Sequence, residues 1–120
     1  MNPKFLQLNG MTTVERHTMI ERVKAALAAS GAYILNFHMF SNASLVLEFE
    51  IPLDQLTRLG PAIHTTGLRL EQRSQELLDE WDQQTAARGA VESRDLPGTL
   101  QITFIHNEPD LIIEVPMVPG

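Results

Sequence analysis

The chain has 120 residues, of which 43% are hydrophobic and 20% are charged, a composition typical of one globular domain. Its net charge of −6, with scattered basic residues, disfavours binding to nucleic acid or to an anionic membrane surface. The absence of cysteine excludes disulfides and thiolate chemistry, and no apolar run is typical of a signal peptide or a membrane span. We therefore expect a single cytoplasmic domain, residues 1–120, with no nucleic-acid or membrane partner.

The N-terminal third of the chain is predicted to form a strand and then a helix. A short apolar run at residues 5–8 predicts the strand. Thr12 and Glu15 have the spacing of a capping box at a helix start. Apolar residues at three- and four-residue steps across 19–27 predict one buried stripe, and Gly31 can end the helix in a left-handed conformation.

Residues 31–51 alternate in polarity on both sides of a break at Ser41-Asn42-Ala43, which predicts a β-hairpin. A two-residue loop at Ser41-Asn42 would set one strand's apolar face against the other's mixed face, so we predict a three- or five-residue loop. The predicted pairs are Phe37 with Leu47, Leu35 with Phe49, His38 with Val46, and Asn36 with Glu48. The predicted apolar face of the first strand holds Tyr33, Leu35, Phe37 and Met39.

The segment after the hairpin is predicted to be a second helix, because leucine and isoleucine recur at helical spacing across 53–63. Gly60-Pro61 interrupts that pattern, so we expect the helix to be short or kinked. Gly67 then ends it, and residues 68–71 alternate like a short strand. A helix continuing through 67–72 is an alternative that the pattern leaves open.

The rest of the chain is predicted to hold one more helix and a second hairpin. Ser74 is a candidate N-cap for the helix, whose narrow apolar seam includes Trp81, expected to pack in the core. Residues 86–98 have the Gly, Pro and charge content of a loop. Alternating apolar residues in Thr99–Ile105 and in Leu111–Val115 predict the two strands of the hairpin.

Residues 4–72 thus follow the βαββαβ order of a ferredoxin-like plait. The segments LAASGAYIL, NFHMFSNASLVLEFEI and LTRLGPAIHTTGLRL resemble the ACT version of that plait, in which a helix ends at a glycine before a strand and a second helix leads to a short last strand. We expect an α+β fold: an ACT-like plait with an antiparallel sheet over 4–72, and an appended C-terminal helix and β-hairpin over 73–120.

The resemblance implies a small, amino-acid-like ligand bound at the loop between the first strand and the first helix, often across a dimer interface. The matching residues here are Asn9, Gly10, Met11 and Thr12. Many ACT modules carry a Pro-Gly pair in that loop, whereas this chain has Asn9-Gly10. The expected function is a non-enzymatic module that binds a small metabolite or acts as a regulatory or dimerisation subunit.

A second candidate site lies on the mixed face of the predicted hairpin, where His38 is close to Glu48 and Asn36. A histidine beside a carboxylate can work as acid and base, so a small dimeric enzyme is one alternative function. The pair has no third member, and a sheet-face histidine with solvated acids explains it without a function. No histidine spacing is typical of a metal site, and no glycine motif is typical of a cofactor site, so we predict neither.

The predicted terminal hairpin is rich in Ile, Leu and Val, and an apolar sheet edge of that kind must be paired or covered. We therefore predict a homodimer that buries these strands or the mixed hairpin face. A purely structural interaction protein is the remaining functional alternative.

Overall fold

The computed structural model describes residues 5–88 and 94–105, without the side chains of residues 86–88. It is a compact α+β fold in which three α-helices and one 3₁₀ helix accompany a five-stranded mixed sheet of order β2-β3-β5-β1-β4. The elements are β1 (Leu6–Thr12), α1 (Arg16–Ala29), β2 (Tyr33–Ser41), β3 (Ser44–Pro52), a 3₁₀ helix (Leu53–Arg58), α2 (Leu59–Thr65), β4 (Arg69–Leu70), α3 (Gln72–Arg88) and β5 (Asp95–Phe104). None of the helices in these residues is both long enough and apolar enough to cross a membrane.

The position of β5 makes the prediction of an antiparallel sheet wrong. β5 lies between β3 and β1, antiparallel to the first and parallel to the second. It is therefore the central strand of the sheet rather than part of an appended hairpin. The second strand predicted for that hairpin, Leu111–Val115, lies outside the described residues, and both edges of β5 are already occupied.

One face of the sheet, called here the inner face, packs against the helices and forms the core. β3 and β5 both alternate along their length, so that every second side chain is buried. The predicted stripe of α1 is confirmed, with Met19, Val23 and Leu27 fully buried. Trp81 of α3 is also buried, as predicted. The opposite, outer face carries no helix among the described residues.

The first helix begins differently from the prediction. Glu15 is the N-cap residue, and its carboxylate accepts hydrogen bonds from the backbone amides of His17 (2.9 Å) and Thr18 (3.0 Å). These two bonds favour the ionised carboxylate and hold the pKa of Glu15 below its ordinary value. Thr12 ends β1 instead, so the predicted capping box is wrong. Gly31 has a φ of +91°, which confirms the left-handed helix end.

The predicted register of the β2–β3 hairpin is confirmed in its centre, where Phe37 lies opposite Leu47 and Asn36 opposite Glu48. The loop length is wrong: the turn has two residues, and an extra residue at Phe40 restores the register.

A second irregularity in β2, at Leu35, changes the faces of the residues before it. Ile34 rather than Leu35 lies opposite Phe49, and Tyr33 lies opposite Glu50. Tyr33 is therefore on the outer face, contrary to the prediction. Its hydroxyl donates to the Asp95 carboxylate, and this hydrogen bond raises the pKa of Tyr33.

The segment between β3 and α3 resolves the alternative left open by the sequence. A 3₁₀ helix leads directly into the short α2, and Pro61 falls in the first turn of α2, where no helical amide is required. Gly67, with a φ of +85°, ends α2 before the two-residue β4, so 67–72 is not a continuous helix. The predicted loop at 86–98 is too long at both ends, because α3 runs to Arg88 and β5 begins at Asp95.

Candidate functional site

The first predicted site, Asn9 to Thr12, is not a loop, because these four residues are the second half of strand β1. Alternation along a strand divides them between the two faces of the sheet. Gly10 and Thr12 are buried on the inner face, whereas Asn9 and Met11 lie on the outer face. The four residues therefore do not form one binding loop.

Gly10 and the backbone of Asn9 both make close contacts with other parts of the protein. A Cβ atom on Gly10 would lie 2.9 Å from Cγ of Leu68 and 3.2 Å from the carbonyl oxygen of Arg69. The glycine is thus required by the close approach of the chain before β4, not by a ligand. The backbone amide of Asn9 donates to Oγ of Ser74 (2.8 Å), and the backbone carbonyl of Asn9 accepts from the backbone amide of Glu71 (2.9 Å).

The second predicted site, Asn36, His38 and Glu48, is assembled on the outer face as the register required. Nε2 of His38 lies 3.8 Å from Oε2 of Glu48, and Asn36 lies opposite Glu48. The His38 and Glu48 side chains are 50% and 44% exposed, so water screens their interaction. In the described part of the chain, no three His, Asp or Glu side chains are grouped to hold a metal ion. The pair has neither the burial nor the further groups of a catalytic site.

The two predicted sites are not brought together. His38, Val46, Gln101 and Asn9 follow one another across β2, β3, β5 and β1. Three steps of about 4.8 Å between neighbouring strands separate His38 from Asn9 by about 14 Å. A small ligand cannot touch both groups.

A shallow cavity lies where the parallel strands β1 and β5 both end, and two of the predicted residues line it. Its volume is about 130 Å³, and its walls come from Met11, Thr12, Thr13, Val14, Gly67, Arg69 and Ile105. The Ile105 amide donates to the carbonyl of Thr12 (2.8 Å), and Oγ1 of Thr12 accepts from the Val14 amide (3.0 Å). These bonds fix the backbone that forms the wall.

Among the described residues that line this cavity, Arg69 of β4 is the only charged one. Within residues 5–88 and 94–105, its exposed guanidinium has no hydrogen bond or ion pair, and no acidic side chain lines the cavity. The remaining walls offer apolar atoms of Met11, Val14 and Ile105, and the hydroxyl of Thr13. The arrangement suits a small molecule with an anionic group and an apolar part.

Arg69 also borders a wider and more open depression on the other side of β4, of about 440 Å³. Nε2 of His64 and Oε1 of Gln75, which line that depression, are 3.0 Å apart and satisfy each other. The smaller cavity is therefore the better candidate for a ligand.

Sequence reasoning found Met11 and Thr12 but missed Arg69, Val14 and Ile105. Arg69 appeared only as one polar residue in a short alternating segment. Its place beside Met11 depends on the antiparallel pairing of β1 with β4, which no local pattern indicates. Comparison with protein-family models, with curated proteins and with solved structures gives no match for this chain.

Proposed function

We propose that this chain is a non-enzymatic, ACT-like ligand-binding module whose ligand is a small monocarboxylate with an apolar tail. The observation that carries the proposal is the guanidinium of Arg69, which has no hydrogen bond or ion pair among the described residues and lies in the wall of a cavity that Met11, Val14 and Ile105 also line. Arginine suits a carboxylate because its planar donors match the two oxygens.

The size of the cavity limits the ligand. Pockets that hold drug-sized molecules usually enclose about 300–1,000 Å³. A cavity of about 130 Å³ instead fits a molecule with a short branched aliphatic tail. Met11, Val14 and Ile105 supply the apolar contacts for that tail.

The charge of the cavity refines the amino-acid-like ligand expected from the resemblance. An amino acid carries an ammonium group as well as a carboxylate, and none of the described residues that line the cavity is acidic. Burying an unpaired ammonium costs free energy, so a simple carboxylate is favoured over its amino-acid analogue.

Catalysis by His38 and Glu48 is the weaker alternative. Their 3.8 Å contact is the observation in its favour, but both side chains are about half exposed. Strand β1, which holds Asn9, is three strand spacings from His38 and two from Glu48, and both side chains lie on the far side of β5 from the cavity.

The test compares three probes of similar shape: isovalerate, the neutral isoamyl alcohol, and the zwitterion valine, which is the 2-amino analogue of isovalerate. A ligand present at ten times its Kd stabilises the folded state by about 1.4 kcal/mol, which raises the Tm of a domain of this size by about 5 °C. We expect isovalerate to raise the Tm most. Equal shifts for all three, or no shift for any, would contradict the proposal.

The matched variants are Arg69→Gln and Arg58→Gln. Arg58 is a second exposed arginine without a partner in the described part of the chain, and it lies in the 3₁₀ helix away from the cavity lining. We expect Arg69→Gln to weaken isovalerate binding about fivefold, because the charge-assisted bond is partly screened at this exposed position. Arg58→Gln should leave the Kd unchanged.

A further inference from the structure

The edge strand β2 has an unusual concentration of exposed apolar side chains. Among the described residues, seven large hydrophobic side chains are exposed, and five of them belong to this strand. They are Tyr33, Leu35, Phe37, Met39 and Phe40. The exposed fraction of Phe40 reaches 69%. Such a patch on a sheet edge is typical of an interface.

The composition of β2 gives no protection against pairing with another strand. Exposed edge strands usually carry charged residues or proline. The nine residues of β2 contain no Lys, Arg, Asp, Glu or Pro. Asn36–Met39 is the regular part of β2, between two irregularities at Leu35 and Phe40. The edge of this segment that faces away from β3 has no partner among the described strands.

The helical layer covers only part of β2: Ile34 packs against the core, whereas the later residues of the inner face are more exposed. Phe37 and Met39 lie opposite the fully buried Leu47 and Leu45, so their side chains are on the inner face. Both remain almost half exposed, and the Lys24 ammonium of α1 lies 5.9 Å from the centroid of the Phe37 ring. The inner layer is therefore incomplete at β2.

We infer that β2 pairs antiparallel with β2 of a second copy of this chain, forming a continuous ten-stranded sheet across a two-fold axis. This interface is independent of the proposed carboxylate cavity, because the cavity lies beside β4, at the opposite edge of the sheet from β2. The two-fold axis keeps the helices of both copies on the same face. The partly exposed inner-face side chains of β2, Phe37 and Met39, are then covered by the second copy.

The register follows from which residues can lie opposite each other. Residues opposite one another in an antiparallel pair share a face, so inner residues must meet inner residues. Placing Phe37 opposite Phe37 of the second copy sets Asn36 opposite His38. The alternative, centred on His38, would set two titratable imidazoles opposite each other. The Phe37-centred register is therefore the one we assign.

The available area matches what a stable dimer requires. Five side chains that are about half exposed offer roughly 500 Å² of mostly apolar surface per copy. A standard interface buries about 800 Å² per partner, of which about 60% is apolar. A second copy is also favoured as the partner because pairing two β2 strands brings no like charges together. The strand has no acidic or basic residue other than His38, which is charged only when protonated.

The test is the oligomeric state of the full chain by sedimentation equilibrium, with two substitutions at apolar residues of equal exposure. Phe37 is 45% exposed and Phe5, before β1, is 44% exposed. We expect Phe37→Glu to raise the dimer Kd at least about tenfold, because it sets two carboxylates opposite each other. Phe5→Glu should leave the Kd unchanged. Phe40→Ser provides a second β2 variant should Phe37→Glu unfold the chain.

Cross-linking tests the register, since the chain has no cysteine of its own. Under mild oxidation, Phe37→Cys should form a disulfide-linked dimer, whereas Phe5→Cys should not. A wild-type chain that stays monomeric at high micromolar concentration would overturn the inference. A dimer that is insensitive to both β2 substitutions would overturn it as well, because the contact would then lie elsewhere.

Discussion

Substituting Gly98 with alanine tests how tightly the sheet centre is packed. A Cβ atom there would lie 2.7 Å from Cζ of Phe49 and 2.9 Å from the carbonyl oxygen of Leu6. Carbon atoms in good contact are about 3.5–4.0 Å apart, so the ring would have to move by about 1 Å. The carbonyl belongs to β1, which is paired with β5 and cannot move freely. Overpacking of this kind costs about 1–3 kcal/mol.

The measurement is the free energy of unfolding in urea, with Gly60→Ala as the matched control. Gly60 is also buried, but a Cβ atom there would lie no closer than 4.0 Å to Leu78. Alanine favours a helix over glycine by up to about 1 kcal/mol, but Pro61 disfavours the α conformation for a preceding residue that has a Cβ atom. These effects oppose each other, so the control should change the free energy of unfolding less than Gly98→Ala does. Phe49→Leu removes buried apolar atoms and has a cost of its own, but it should destabilise the Gly98→Ala protein less than it destabilises wild type, because the ring no longer meets the added methyl group. A Gly98→Ala protein within about 0.5 kcal/mol of wild type would refute this description of the packing.

Two further predictions concern α3. Ser74→Ala should lower the free energy of unfolding, measured in urea, by about 1–3 kcal/mol, because the backbone amide of Asn9 in β1 then loses its hydrogen-bond partner. An unchanged midpoint of urea unfolding would contradict this, since it would mean that water replaces the hydroxyl. Burial, and secondly the charge of Asp79, raise the pKa of Asp82, so the folded state favours its protonated form and its charge opposes folding at neutral pH. Asp82→Asn should therefore raise the Tm at pH 7. This gain should shrink as the pH falls through the raised pKa of Asp82, and it should be absent below the unfolded-state pKa of about 3.9. A gain that is constant with pH would contradict the assignment.

Those parts of the fold that depend on local periodicity were predictable from the sequence. The buried stripe of α1 and the alternation of β3 follow directly from side-chain geometry, and both are confirmed. The central register of the first hairpin followed because a slip of one residue would exchange its faces. The bulges in β2 were not predictable, since an extra residue on one strand leaves the polarity pattern of the other intact.

The sheet order could not be predicted because it depends on contacts between distant parts of the chain. The pair Pro97-Gly98 was interpreted as loop, whereas Gly98 lies in a central strand under the ring of Phe49. In the same way Asn9-Gly10 had the composition of a turn, although Gly10 serves close packing against Leu68. A glycine required by packing and one required by a turn look alike in a single sequence.

The candidate site was predictable only in part for the same reason. Met11 and Thr12 were found through the family resemblance, although the loop it implied is a strand. Arg69 reaches them through β4, which contributes only two residues to the sheet. Neither the cavity nor its charge exists until β1, β4 and β5 are assembled.

The central position of β5 has a consequence for how the protein reaches its native state. β5 is the last of the five strands along the chain, yet it joins β2–β3 to β1–β4. Its contacts with β1 link residues roughly ninety positions apart, a separation typical of slow folding. Without β5, β3 has only β2 beside it and β1 has only the two-residue β4, and isolated pairs of strands are at best marginally stable in water. One edge of β1 and one edge of β3 therefore have no partner until β5 is inserted, and unpaired edges of this kind expose a folding chain to aggregation.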